Sequence, residues 1–183
     1  MKSSDNVINV NDFDVIYGIG NIGRQDDGLG WAFIDAIEPD AASHQKLVRH
    51  YQLFFEDVDL IRRHKRILFV DATKDVTTSQ YRMERVLPKL DDSFTSHAIS
   101  VQSILAMCHQ CYQAHPDVWL LTIRGNSWEL SLGLTPMATQ NLALALEAVR
   151  SHGVYDTESA AEALHKRPNQ IRTQHIDCTR IST

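Results

Sequence analysis

Side chains that could bind a metal ion or move a proton occur in three separate stretches of the chain. Asp26 and Asp27 stand side by side after a glycine-rich segment. Asp71 ends the apolar run RILFVDA, and His97 lies in FTSHAIS. A carboxylate that ends a fully apolar strand is costly to desolvate unless a cation or hydrogen-bond donors offset that cost. Taken alone, Asp71 could equally cap a helix or accept hydrogen bonds from loop amides, and His97 could be an ordinary polar loop residue. Together, two carboxylates and an imidazole predict a three-ligand site that suits Zn, Ni, Co, Mn or Fe better than Cu(I).

The glycine-rich segment itself offers a competing interpretation. Gly18, Gly20 and Gly23 spell G-x-G-x-x-G, the pattern of a dinucleotide site. Such a site needs the glycine turn to open directly into a helix, and an acid at the end of the second strand about 20 residues on. Helical periodicity begins only near Leu29, and the second candidate strand ends around His50 without an acid. Since two carboxylates in the gap would also repel a diphosphate, the segment favours a cation.

Strand-like and helix-like segments alternate along the chain and must position these side chains. Apolar runs predict strands over residues 13–19, 47–53, 66–72, 81–86 (antiparallel or at an edge) and 118–123. Helical spacing predicts helices over residues 29–37, 56–64, 100–114 and 136–150. Thr135 is the expected N-cap of the last helix, with Pro136 at its first position. The alternation predicts a single three-layer α/β/α domain, with a mainly parallel twisted sheet and helices on both faces. In such sheets ligands gather at the carboxyl ends of the strands, where Asp27 and Asp71 are expected to meet.

Composition narrows the class of protein. The chain has 183 residues, a net charge of −5 and no dense basic patch, which argues against nucleic acid or an anionic membrane as the main partner. It contains neither an apolar run long enough to span a bilayer nor a secretory signal pattern, and its three cysteines have no framework spacing. These features predict a cytoplasmic protein. Residues 1–153 are expected to form the domain, and residues 154–183, which are polar and aperiodic, a flexible tail.

Four short motifs occur in an order that resembles the [NiFe]-hydrogenase maturation endopeptidases. They are GIGN-x₄-DDG-x-G after the first strand, VDA at the end of a middle strand, SH before a helix, and GLTP before the last helix. The order and spacing hold over residues 15–149, and HYQLFFE at residues 50–56 is similar to the family's HQLTPE segment. The stretch TIRGNSWELSLGLTP departs from the family's Gly-x-x-Pro pattern in a loop expected near the substrate.

The resemblance implies an aspartic-type processing endopeptidase. It would remove the C-terminal extension of a hydrogenase large subunit precursor after nickel insertion. The family's metal-contacting residues correspond here to Asp27, Asp71 and His97, with Asp26 as the alternative to Asp27. Nickel would be supplied by the substrate's own active site, and no tightly bound cofactor is expected. The resemblance further implies that Asp27 or Asp71 orients or deprotonates the attacking water, without choosing between them.

Two other functions remain open at this point. A non-catalytic, metal-sensing binding protein could keep the same fold and ligands while recognising a metallated partner without cutting it. A dinucleotide-binding oxidoreductase is disfavoured by the acids in the first loop. The sequence leaves the client hydrogenase, the cleavage site and the oligomeric state undetermined.

Overall fold

The computed structural model describes residues 8–90 and 99–152 of the chain. Within these residues the strands are Val15–Ile19 (β1), Lys46–His50 (β2), Arg66–Thr73 (β3), Tyr81–Arg85 (β4) and Asp117–Arg124 (β5). The α-helices are Leu29–Ile37 (α1), Asp57–Ile61 (α2), Val101–Tyr112 (α3) and Pro136–Glu147 (α4). A short 3₁₀ turn, Gln25–Gly28, precedes α1.

All five strands join one sheet in the order β2-β1-β3-β5-β4. The first four in this order run parallel, and β4 pairs antiparallel with β5 at one edge. The strand over residues 81–86 was expected to be antiparallel or at an edge, and it is both. From β1 the chain passes to β2 on one side of the sheet, and from β3 it passes to β5 on the other side. The topological switch point therefore lies between β1 and β3, where open α/β sheets bind their ligands.

Helices cover both faces of the sheet. On one face α1 and α4 pack with Leu68 and Val70, and on the other α2 and α3 pack with Ile67 and Phe69. These four consecutive residues of β3 are fully buried, because alternate side chains of a central strand enter opposite cores. The predicted three-layer α/β/α fold is confirmed.

Local sequence signals fix the helix ends. The Thr135 side chain accepts a hydrogen bond from the Ala138 amide, and Pro136 takes the first helical position of α4, as expected. Ser100 caps α3 in the same way by accepting from the Ser103 amide. At its other end α3 stops at Gln113, whose φ of +52° is left-handed.

Several predicted elements were too long, among them the second helix, which was expected over residues 56–64 and covers only Asp57–Ile61. The second strand was expected to reach residue 53, but it ends at His50, whose carbonyl oxygen accepts from the Gly20 amide and from Trp31 Nε1. The bond from the Gly20 amide is the last step of the parallel ladder between β1 and β2, whose register ends at the pair Ile19 and His50. The last helix was expected to reach residue 150, but the α-helical hydrogen bonding ends at Glu147 and residues Ala148–His152 wind as a π-helix.

Some expectations fall outside the described part of the chain. His97 and the tail, residues 154–183, lie outside the residues that the structure describes, so the domain boundary stays a prediction. None of the helices described here is long and apolar enough to cross a membrane.

Candidate active site at the switch point of the sheet

Asp71 emerges from the middle of the sheet at the carboxyl end of β3. It follows the fully buried run of β3 and lies opposite Thr122 of β5 in the parallel ladder. Its carboxylate is partly buried, and Oδ1 accepts a hydrogen bond of 2.8 Å from the Ala72 amide. Burial raises the pKa of Asp71 to about 6, while the bond from Ala72 opposes the shift and the negative charge of Asp27 adds to it. A carboxyl group with a raised pKa at a switch point is a candidate acid–base group.

Asp27 is placed by the loop that leaves β1. It lies in the 3₁₀ turn before α1, and its Oδ2 accepts a hydrogen bond of 3.1 Å from the Asn21 amide. Gly20 makes this turn possible, because its φ is +132° and a Cβ there would overlap the Asp27 carbonyl oxygen. Glycine and asparagine of the GIGN motif thus position the acid that follows six residues later.

Asp27 lies in the loop that follows β1, and Asp71 lies near the carboxyl end of β3, the strand next to β1 in the sheet. The negative charge of Asp27 is the smallest of the three effects that set the pKa of Asp71. A cation at this edge of the sheet would offset the cost of burying the Asp71 carboxylate and would be attracted by the negative charges of both acids. A bound cation and a carboxyl group with a raised pKa both suit metal-assisted hydrolysis, in which a carboxylate also accepts a proton from water.

Asp26 has a different role from its neighbour. Its side chain is fully buried and accepts hydrogen bonds from the amides of Asn126, Ser127 and Thr135 and from the Thr135 hydroxyl, at 2.7–3.0 Å. Burial is the largest single effect and would raise the pKa of Asp26, but these bonds together outweigh it and hold the pKa below its usual value. Asp26 therefore ties the first loop to the segment before α4, while the Asp27 side chain accepts its hydrogen bond from Asn21 within the first loop.

The third expected ligand cannot be placed next to this pair. His97 lies outside the described residues. Across residues 8–90 and 99–152, no three His, Cys, Asp or Glu side chains are grouped so as to hold a metal ion. The acid pair alone offers two ligands, so the three-ligand set Asp27, Asp71 and His97 stays a prediction.

The first loop does not have the geometry of a dinucleotide site. Helix α1 begins at Leu29, six residues beyond the end of the glycine pattern, and the 3₁₀ turn with both acids lies in the gap. The close packing that glycines permit is used elsewhere, since a Cβ at Gly18 would overlap the Gly30 carbonyl oxygen. Gly18 therefore serves the contact between β1 and α1, and Gly20 serves the turn that carries Asp27, rather than a pyrophosphate.

Sequence reasoning expected the stretch over residues 122–136 near the substrate but missed its hydrogen bonds to the first loop. Residues 126–135 supply all the donors to Asp26, and Gln25 donates its amide to the Ser131 carbonyl oxygen at 2.9 Å. It also missed a buried cluster beside the site, where Tyr17 OH donates to Asp57 Oδ1 at 3.3 Å and His50 Nδ1 lies 3.3 Å from the same oxygen. The adjacent pair Asp26 and Asp27 was the available signal that one of the two acids would face the interior, since neighbouring residues in a tight turn rarely point the same way.

Comparison with known proteins gives the fold a precedent. No family model matches the sequence, and no curated protein matches it either. Among solved structures, the hydrogenase maturating endopeptidase HybD from E. coli aligns with a TM-score of 0.61 at 18% identity, over 74% of this chain and 88% of that one. The [NiFe] hydrogenase maturation protease HycI from Thermococcus kodakarensis aligns with a TM-score of 0.59 at 20% identity, over 88% and 97%. A hydrogenase 2 maturation peptidase from a Thaumarchaeota archaeon gives 0.52 at 15% identity, over 82% and 97%. The protein therefore has the fold of the hydrogenase maturation proteases.

Proposed function

We propose that this protein is an endopeptidase that removes the C-terminal extension from the large subunit precursor of a [NiFe]-hydrogenase. The observation that supports the proposal is that Asp27 and Asp71 follow neighbouring strands at the switch point of a fold shared with hydrogenase maturation proteases, and that the charge of Asp27 adds to the raised pKa of Asp71. The order of the sequence motifs around these two acids supports the same assignment.

Cleavage is proposed to depend on nickel that the precursor brings with it. Two carboxylates that repel each other in a partly buried corner gain most from a divalent cation. Asp27, Asp71 and His97 would contact the nickel centre while it stays bound to the precursor. Docking of a loaded precursor would then place the scissile peptide over the site, whereas an empty precursor would lack this anchor.

The raised pKa of Asp71 favours this residue as the base. At neutral pH the carboxylate is mostly ionised, yet it is more basic than an ordinary aspartate. It would take a proton from a water molecule whose oxygen attacks the scissile carbonyl carbon. The tetrahedral intermediate then expels the amine of the extension, which receives that proton as the C–N bond breaks. In this scheme Asp27 orients the loaded precursor, and its negative charge partly neutralises the positive charge of the nickel centre.

The experiment is a processing assay on the purified precursor. Nickel-loaded and nickel-free precursor from the same organism are each incubated with the protein, and intact-mass spectrometry follows the C-terminus. The proposal expects loss of the extension from the loaded form alone. Binding of the loaded precursor without any mass loss would instead identify a metal-sensing binding protein.

The compartment proposed for this reaction is the cytoplasm. Cys108 is buried and Cys111 exposed, and both are free thiols on α3. Free thiols, one of them open to solvent, fit a reducing compartment.

A further inference from the structure

Four exposed aliphatic side chains surround the loop that carries the candidate acids. Leu130, Leu132, Met137 and Ile22 have 91%, 78%, 56% and 42% of their surface exposed. We call these four residues the apolar rim. Single exposed aliphatic residues are ordinary, but a group of them beside a candidate site marks an interaction surface.

The backbone that presents the apolar rim is held in place from inside. Ser131, between the two leucines, forms an isolated parallel bridge with Arg24 and accepts a hydrogen bond from the Gln25 amide. Arg24 also donates to the Trp128 carbonyl oxygen at 3.4 Å. The leucines are therefore attached to the first loop within three residues of Asp27.

Asp26 locks the same segments together. Two of its four hydrogen bonds join the first loop, which carries Ile22, to Thr135, which caps the helix that carries Met137. A charged group thus occupies the interior of this corner and aliphatic groups occupy its surface, which reverses the usual distribution. A free loop could fold its leucines inwards, whereas this loop is tied by a buried carboxylate and keeps them in solvent.

We infer that the apolar rim binds an apolar segment of the precursor that lies beside its scissile bond. This inference rests on the proposed function and adds to it a substrate preference for apolar residues next to the cleavage site. The occupant follows from continuity, because Ile22 directly follows Asn21, whose amide holds Asp27. The two leucines are tied to the same loop through Ser131, so a peptide held at Asp27 lies near them, and burying them against it would contribute to binding without touching the chemistry.

The test uses Leu130→Ser/Leu132→Ser with Leu87→Ser as the matched control. Leu87 is 68% exposed and follows β4 at the opposite, amino-terminal edge of the parallel strands. With nickel-loaded precursor, the double variant should raise KM about tenfold or more while kcat changes less than about twofold, and the control should match the wild type. Unchanged thermal unfolding of both variants would show that the fold is kept.

Three results would overturn the inference. If the wild type cleaves and the double variant has the same KM, the apolar rim does not bind the precursor. If kcat falls and KM is unchanged, the leucines act on the site rather than on binding. If the wild type sediments as a dimer that the double variant converts to a monomer, with KM unchanged, the surface joins two copies of this chain. Failure of the wild type to cleave loaded precursor would instead refute the proposed function, and the inference with it.

Discussion

Ionised Asp71 should destabilise the folded protein, so Asp71→Asn should increase stability while it stops cleavage. Burial raises the pKa of Asp71 from its ordinary 3.8 to about 6, with Asp27 adding to the shift. One pKa unit corresponds to about 1.4 kcal/mol, which sets an upper bound of about 3 kcal/mol on the effect. Because the side chain is only partly buried, we expect the free energy of unfolding to rise by about 1–2 kcal/mol at pH 7.5.

The sign of the pH dependence follows from the direction of the shift. The folded protein binds the Asp71 proton more tightly than the unfolded chain, because the folded pKa is the higher one. The stability due to this group is full below about pH 4 and is lost as the pH rises to about 6. Asp71→Asn lacks this titration, so the difference in the free energy of unfolding between this variant and the wild type should grow from near zero at about pH 4 to its maximum above about pH 6.

Urea denaturation at a series of pH values measures this difference directly. Asp27→Asn removes the neighbouring charge and should give a smaller gain, whereas Asp40→Asn, an exposed acid beyond α1, should give none. The reasoning would be refuted by an Asp71→Asn protein no more stable than the wild type at pH 7.5, or by an advantage of equal size at every pH.

Further predictions concern the residues that hold the acid loop. Asp26→Ala leaves four buried donors without their acceptor and should lower the free energy of unfolding by about 3 kcal/mol, measured by urea denaturation, while Asp27→Ala should cost less than about 1 kcal/mol. The pKa of Asp26 is lowered, so its contribution to stability should be present above about pH 4 and lost as the pH falls further. Gly20→Ala should destabilise by about 2 kcal/mol and reduce the cleavage rate, because the new methyl group overlaps the Asp27 carbonyl. Gly133→Ala is its control: φ there is +86° but no atom lies within 4 Å of the added carbon, so only the backbone strain remains and cleavage should be kept. Equal rates for the two glycine variants would contradict the role given to Gly20.

The sequence was sufficient for the architecture because the fold depends on periodicity. Unbroken apolar residues in RILFVDA predict a strand buried on both faces, and β3 is such a strand. Glycine, proline and capping residues predict helix boundaries, and α1 begins and ends where expected. The errors occurred where tertiary contacts decide, as at His50, whose carbonyl bonds to two distant residues.

The candidate site was only partly accessible from sequence. The spacing identified both acids, but it could not distinguish Asp26 from Asp27, because the residue that binds Asp26 most extensively is Thr135, 109 positions along the chain. The apolar rim was hidden for the same reason, since Leu130 and Leu132 become neighbours of the acid loop only through the bridge at Ser131. Such information depends on long-range contacts that no local pattern contains.

The most direct test of the account is the C-terminal mass of nickel-loaded precursor after incubation with the wild type, Asp27→Asn or Asp71→Asn. The account predicts complete loss of the extension with the wild type and an intact precursor with Asp71→Asn, although that variant is folded and the more stable protein. It also predicts strongly slowed cleavage with Asp27→Asn. Processing of the precursor at the wild-type rate by both variants would contradict the claim that this acid pair is the active site.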